Sequence, residues 1–120
     1  MPSSIEPKKT TSDNTMSFDQ FWQALTSRLK VKTQIRNWTV DQGYLRQGDF
    51  MAEYTTGNYI NCDVPDAKTI QKVPRLDVEL LHKHWQAYLN GQMSRRQLAD
   101  KSRFMKYSIS ILHWFSDDGL

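Results

Sequence analysis

Apolar residues recur at two different spacings along this chain, and the places where the spacing changes divide it into parts. Phe18, Phe21, Trp22, Leu25 and Leu29 return at intervals of three and four, which gathers side chains on one face of an α-helix. Between Phe50 and Val64 the interval drops to two. Phe50, Ala52 and Tyr54 fall on one side of an extended segment, and Ile60, Cys62 and Val64 on one side of the next, as in β-strands with one wet face. Beyond Pro74 the helical interval returns with Val78, Leu81, Trp85 and Tyr88. Runs of both kinds, segregated along the chain, point to an α+β fold.

Local signals place the boundaries. Ser17 and Gln20 have the spacing of a capping box, in which each side chain satisfies the other residue's free N–H, so a helix is expected over Ser17 to Lys30. Gln34 to Val40 is rich in β-formers and reads as a strand, followed by Phe50 to Thr55, a turn at Thr56-Gly57-Asn58, and Tyr59 to Val64. Pro65 ends that strand, and Thr69 to Val73 adds a short edge strand. A helix follows Pro74 and stops at Asn90-Gly91, where glycine accepts the left-handed backbone. Ser94 and Gln97 repeat the capping-box spacing and start a short helix through Ser102. A last helix runs from about Phe104 to Phe115, ended by Asp117-Asp118-Gly119. The expected architecture is an N-terminal helix, a three- to four-stranded antiparallel sheet and a C-terminal cluster of three helices. Residues 1–15, rich in Pro, Ser, Thr and Lys with one large aliphatic side chain, are expected to be a disordered tail, and residues 16–120 a single domain.

Composition removes several classes of function. The 120 residues suffice for one domain. No apolar run approaches the roughly 18 residues of a membrane span, and the first residues lack the apolar segment of a signal peptide. The expectation is a cytoplasmic protein with no membrane partner. Cys62 is the single cysteine, which leaves no internal disulfide and no cysteine-rich zinc site. His82 and His84 stand two apart on a helix and point in nearly opposite directions, the wrong arrangement for clamping one ion. No metal, no cofactor and no catalytic residue is assigned. The stretch from Asp63 to Lys68 holds a Pro-Asp and an Asp-x-Lys that both fall on Asp66. A metal-dependent nuclease needs two acids and a lysine, with Asp49 or Glu53 as the missing acid, and this is the weakest of the readings.

Charge is more informative. Between Lys68 and Lys106 nine lysines and arginines face three acids, in a chain whose total is only +3. Such asymmetry suits a polyanionic partner. Five of these cations, Arg95, Arg96, Lys101, Arg103 and Lys106, lie within a pattern of Leu98, Ala99, Phe104, Ile109 and Leu112. Over residues 95–114 this segment resembles a helix-turn-helix DNA-binding unit: Ala99 as the small residue between helices, Leu98 and Phe104 flanking the elbow, and Ile109 and Leu112 anchoring the second helix. Arg103 stands where that turn usually holds glycine. The resemblance implies a regulatory or accessory protein binding nucleic acid, in particular double-stranded DNA. Arg95, Arg96, Lys101 and Arg103 would then lie on phosphates, with Lys106, Tyr107 and Ser110, and His113 beyond them, toward the groove. A second reading packs all three helices on the sheet and leaves the cations as a solvated rim, because a helix carrying Met105, Ile109, Ile111, Leu112, Trp114 and Phe115 is apolar on most sides. A third makes the apolar helix face an interface for a protein partner or a second copy of the chain, as in an inhibitor or adaptor from a mobile element. Trp38, Trp85, Tyr88 and Trp114 likewise admit two roles, as core or as surfaces on which unpaired bases stack.

Overall fold

A computed structural model of the chain describes residues 17–65 and 67–119, the last three by backbone only. The expected tail over residues 1–15 lies outside the described residues. Helix α1 (Phe18–Arg28) starts as its capping box requires: the Ser17 hydroxyl accepts from the Gln20 N–H at 3.2 Å, and Gln20 Oε1 accepts from the Ser17 N–H at 3.2 Å. Trp22, Leu25 and Leu29 of its apolar stripe are buried.

Four strands, β1 (Thr33–Ile35), β4 (Phe50–Glu53), β5 (Tyr59–Asp63) and β6 (Gln71–Pro74), form an antiparallel sheet in the order β1-β4-β5-β6. The register places Ile35 opposite Phe50, Ala52 opposite Cys62 and Ile60 opposite Val73. All six are buried, so the period of two in the sequence becomes one continuous inner face. Burial also pushes the Cys62 thiol up to about 12, which keeps it protonated and unreactive near neutral pH.

The expected strand from Gln34 to Val40 is broken in two. Asn37 is the breaking point: its N–H donates to Asp49 at 2.9 Å, its Nδ2 donates to the Gln47 carbonyl at 2.9 Å, and its carbonyl accepts from Leu45 N–H at 2.9 Å. A Cβ on Gly48 would lie 2.5 Å from Asn37 Nδ2, so glycine is what lets this amide seat. With Asn37 so committed, the chain leaves the sheet and closes a separate hairpin, β2 (Trp38–Thr39) with β3 (Gly43–Tyr44).

Helix α2 (Arg75–Leu89) follows Pro74 directly. Arg75 ties its start to α1 through an ion pair with Asp19, and its guanidinium sits 5.3 Å and 5.6 Å from the Phe18 and Trp22 rings. Helix α3 (Arg95–Ala99) opens with the expected Ser94–Gln97 capping box but ends three residues before Ser102. Ser102 instead organises the next turn: its hydroxyl donates to Asp77 at 2.5 Å and accepts from the Phe104 N–H at 3.2 Å. Helix α4 (Met105–Gly119) continues beyond the expected end near Phe115, through Asp117-Asp118-Gly119. It packs against α2, α3 and the hairpin.

His82 is half-buried between the rings of Phe18 and Phe21, 5.4 Å and 4.5 Å away. Desolvation lowers its pKa below 6.5, with Glu79 opposing. A base depressed in the folded state binds its proton more readily when unfolded. Its contribution is therefore complete above the unfolded value and is lost as pH falls below it. The thermal midpoint should fall between about pH 7.5 and about pH 5.5 more steeply for the native chain than for His82→Leu; parallel curves in calorimetry would contradict this.

Candidate functional site

The cations singled out from sequence are on the surface. Arg95, Arg96, Lys101, Arg103 and Lys106 are all exposed, and among the described residues none forms an ion pair. Arg103 lies over the Phe104 ring at 5.0 Å and Lys106 over the Tyr107 ring at 5.1 Å. Arg95 and Arg96 line a cleft of about 530 Å³ together with Thr39, Gln42, Leu45, Ser94 and Ala99. Asp41 also lines it, and two guanidiniums against one carboxylate leave the cleft cationic.

The helix meant to read a groove is not available to one. Residues 108–112 are buried without a break, as are Met105 and Phe115. Ser110, expected to face outward, is 1% exposed, and its hydroxyl accepts from the Trp38 N–H at 3.0 Å. Tyr107 is half-buried, edge-on to Phe50 at 5.2 Å, and desolvation raises its pKa. The cause is the apolar character of α4 around most of its circumference: α2 covers one side, and the hairpin and β1 cover another. Ala99, assigned to the contact between helices, is exposed and lines the cleft instead. On the apolar face offered to a protein partner, Phe115 packs edge-on to Phe21 at 5.3 Å, and Arg28 lies over the partly buried Trp114 at 5.0 Å. Of the nuclease fragments, Asp66 lies outside the described residues, Asp49 accepts the Asn37 N–H, and Asp63 pairs with Lys32 at 3.3 Å.

What sequence reasoning missed is the hairpin and the rings ranged along it. The His113 imidazole stacks on Trp38, centroids 3.8 Å apart and planes 9° from parallel. Tyr44 meets His113 edge-on at 5.5 Å, and Arg36 lies 4.0 Å above the Tyr44 ring. In the other direction Trp38 continues to Trp85 at 6.4 Å, and Trp85 to Tyr88 at 5.8 Å. Tyr88 closes the series by accepting the Val40 N–H at 2.9 Å. Burial pushes its phenol up, and the Val40 hydrogen bond and Arg95 pull it back. The hairpin is thus fixed from the core by two hydroxyls, Ser110 on Trp38 and Tyr88 on Val40.

A second cleft, of about 210 Å³, is lined by Gln34, Arg36, Tyr44, His113 and Trp114. It stands beside the same hairpin as the first: Tyr44 lines one and Leu45, the next residue, the other. The sequence carried half of this signal, since the tryptophans were noted as candidates for stacking, but Tyr44, Arg36 and Gln34 had no feature to bring them forward.

Two serines of α4 give the placement a sharp test. Ser110→Ala strands the Trp38 N–H and should cost about 1–2 kcal/mol. Ser108 is also fully buried, but its hydroxyl has no partner among the described residues, so Ser108→Ala should be neutral or stabilising by up to about 1 kcal/mol. Urea unfolding of both variants checks the pair, and equal effects would contradict the geometry. No protein-family model, curated protein or solved structure matches the chain.

Proposed function

We propose that this protein binds nucleic acid, with the phosphate backbone as its principal ligand and the surface around the β2–β3 hairpin as its contact face. The observation that carries the reading is the set of five exposed cations, Arg95, Arg96, Lys101, Arg103 and Lys106, with no carboxylate partner among the described residues and with two of the five in one cleft. Exposed cations without carboxylate partners keep their attraction for phosphate, and their binding releases the counterions condensed on the strand. Thr39, Gln42 and Ser94 in the same cleft are polar groups of the kind that fix a backbone's register without reading its sequence.

The mode differs from the one implied by the helix-turn-helix resemblance. Insertion of a helix into the major groove needs several exposed side chains along one helix face. Beyond Lys106, the described side chains of α4 offer half-buried rings and the exposed Ser116. Affinity without base-edge readout is the expected behaviour, as for an accessory protein that coats or holds a strand.

In a salt titration the logarithm of affinity for an unstructured oligonucleotide should fall linearly with the logarithm of salt concentration. The Arg95→Ala, Arg96→Ala double variant should bind more weakly, with a slope shallower by roughly one to two. An affinity and a slope both unchanged in the double variant would overturn the reading.

A further inference from the structure

We infer that the cleft lined by Gln34, Arg36, Tyr44, His113 and Trp114 receives one unpaired nucleobase of a single strand whose phosphates continue onto Arg95 and Arg96. This rests on the nucleic-acid reading above and specifies its ligand as an unpaired strand.

Size sets the first condition. At about 210 Å³ the cleft falls short of the roughly 300–1,000 Å³ that hold whole small-molecule ligands, and suits one flat ring system. The lining supplies what such a ring needs. Tyr44 is 45% exposed, and the partly buried Trp114 also lines the cleft, so π-surface borders it. Arg36, itself exposed, lies 4.0 Å from the centre of the Tyr44 ring and adds a planar cation to the π-surface there. Gln34 is exposed and its amide has no partner among the described residues, which leaves one acceptor and two donors for a base edge.

Charge selects among flat guests. Arg36 lines the cleft, Arg28 stands behind Trp114 at 5.0 Å, and among the described residues no acid lines it. A cationic guest, such as an alkylated ammonium in an aromatic cage, is repelled, whereas a base attached to phosphates is attracted twice. Tyr44 of this cleft and Leu45 of the cleft that holds Arg95 and Arg96 are consecutive residues, so one strand passing the hairpin can meet both. Duplex DNA does not satisfy the arrangement, because its bases hide their faces in the stack and α4 is covered.

The test is fluorescence anisotropy with three probes of roughly 12 nucleotides: oligothymidylate, a duplex of mixed sequence, and an abasic strand that keeps the phosphates but no bases. Oligothymidylate should bind tightest and should quench tryptophan emission, which the abasic strand should not. Tyr44→Ala should weaken oligothymidylate binding about tenfold and leave the abasic strand unaffected. Tyr44→Phe, which keeps the ring, should restore it, and Arg36→Gln should weaken it. Tyr44 stands exposed at the end of a hairpin held by Ser110 and Tyr88, and an unchanged thermal midpoint verifies that the alanine variant folds. Equal affinities for oligothymidylate and the abasic strand, with Tyr44→Ala indistinguishable from the native chain, overturn the base site and leave phosphate binding standing. Failure of all three probes to bind at low salt overturns both.

Discussion

Helix α4 is the element on which the rest of the structure depends, because it cannot be left uncovered. Five consecutive buried positions, residues 108–112, take in more than the single stripe with which a surface helix normally faces its core. The inner face of the sheet covers only part of that circumference. α2 takes another part, α1 reaches it through Phe21 and Phe115, and the β2–β3 hairpin takes the remainder. The hairpin has only two residues per strand, too short to persist on its own hydrogen bonds. It persists because Ser110 and Tyr88 supply acceptors from the core for the N–H groups of Trp38 and Val40. Polar atoms inside the helical layer therefore position the hairpin and the partly exposed rings of Trp38 and Tyr44 that it carries.

This explains which parts of the fold were legible in the sequence. α1, β4, β5 and the end of α2 are specified by neighbours within a few residues: a capping box, alternation, a proline, a left-handed glycine. Each survives in the structure nearly as read. The hairpin depends on contacts that span the chain, Trp38 with Ser110 across 72 positions and Val40 with Tyr88 across 48, and neither leaves a trace in local periodicity. The reading of Gln34 to Val40 as one strand failed for a similar reason. Its residue preferences favour extension throughout, but Asn37 is claimed by Asp49, Gln47 and Leu45, and a backbone whose polar groups are committed to a loop cannot also supply a ladder.

The helix-turn-helix resemblance shows how one pattern serves two structures. Leu98, Ile109 and Leu112 are buried as that pattern requires, yet they would be buried in any helical pair packed on a sheet. What separates the alternatives is the second face of the last helix. In a reading helix that face is polar and wet. Here Ser110, expected on that face, is buried and serves the hairpin, and Ser108, on nearly the opposite side of the helix, is buried with no partner among the described residues. A serine is small enough to be enclosed at modest cost when it finds an acceptor or donor role, so its presence on a helix face says little about which way that face points.

Cations and rings end up on the same surface by a related constraint. Arginine placed over an aromatic ring covers apolar area while its charge stays in water, and Arg28, Arg36 and Arg103 are all so placed, over Trp114, Tyr44 and Phe104. A small domain with twelve percent aromatic residues has more ring surface than its interior can enclose, and guanidinium groups shield the excess. The same placement keeps each guanidinium charge in water beside a ring. The solvated-rim and strand-binding readings thus share one geometry, and whether a strand binds at low salt decides between them.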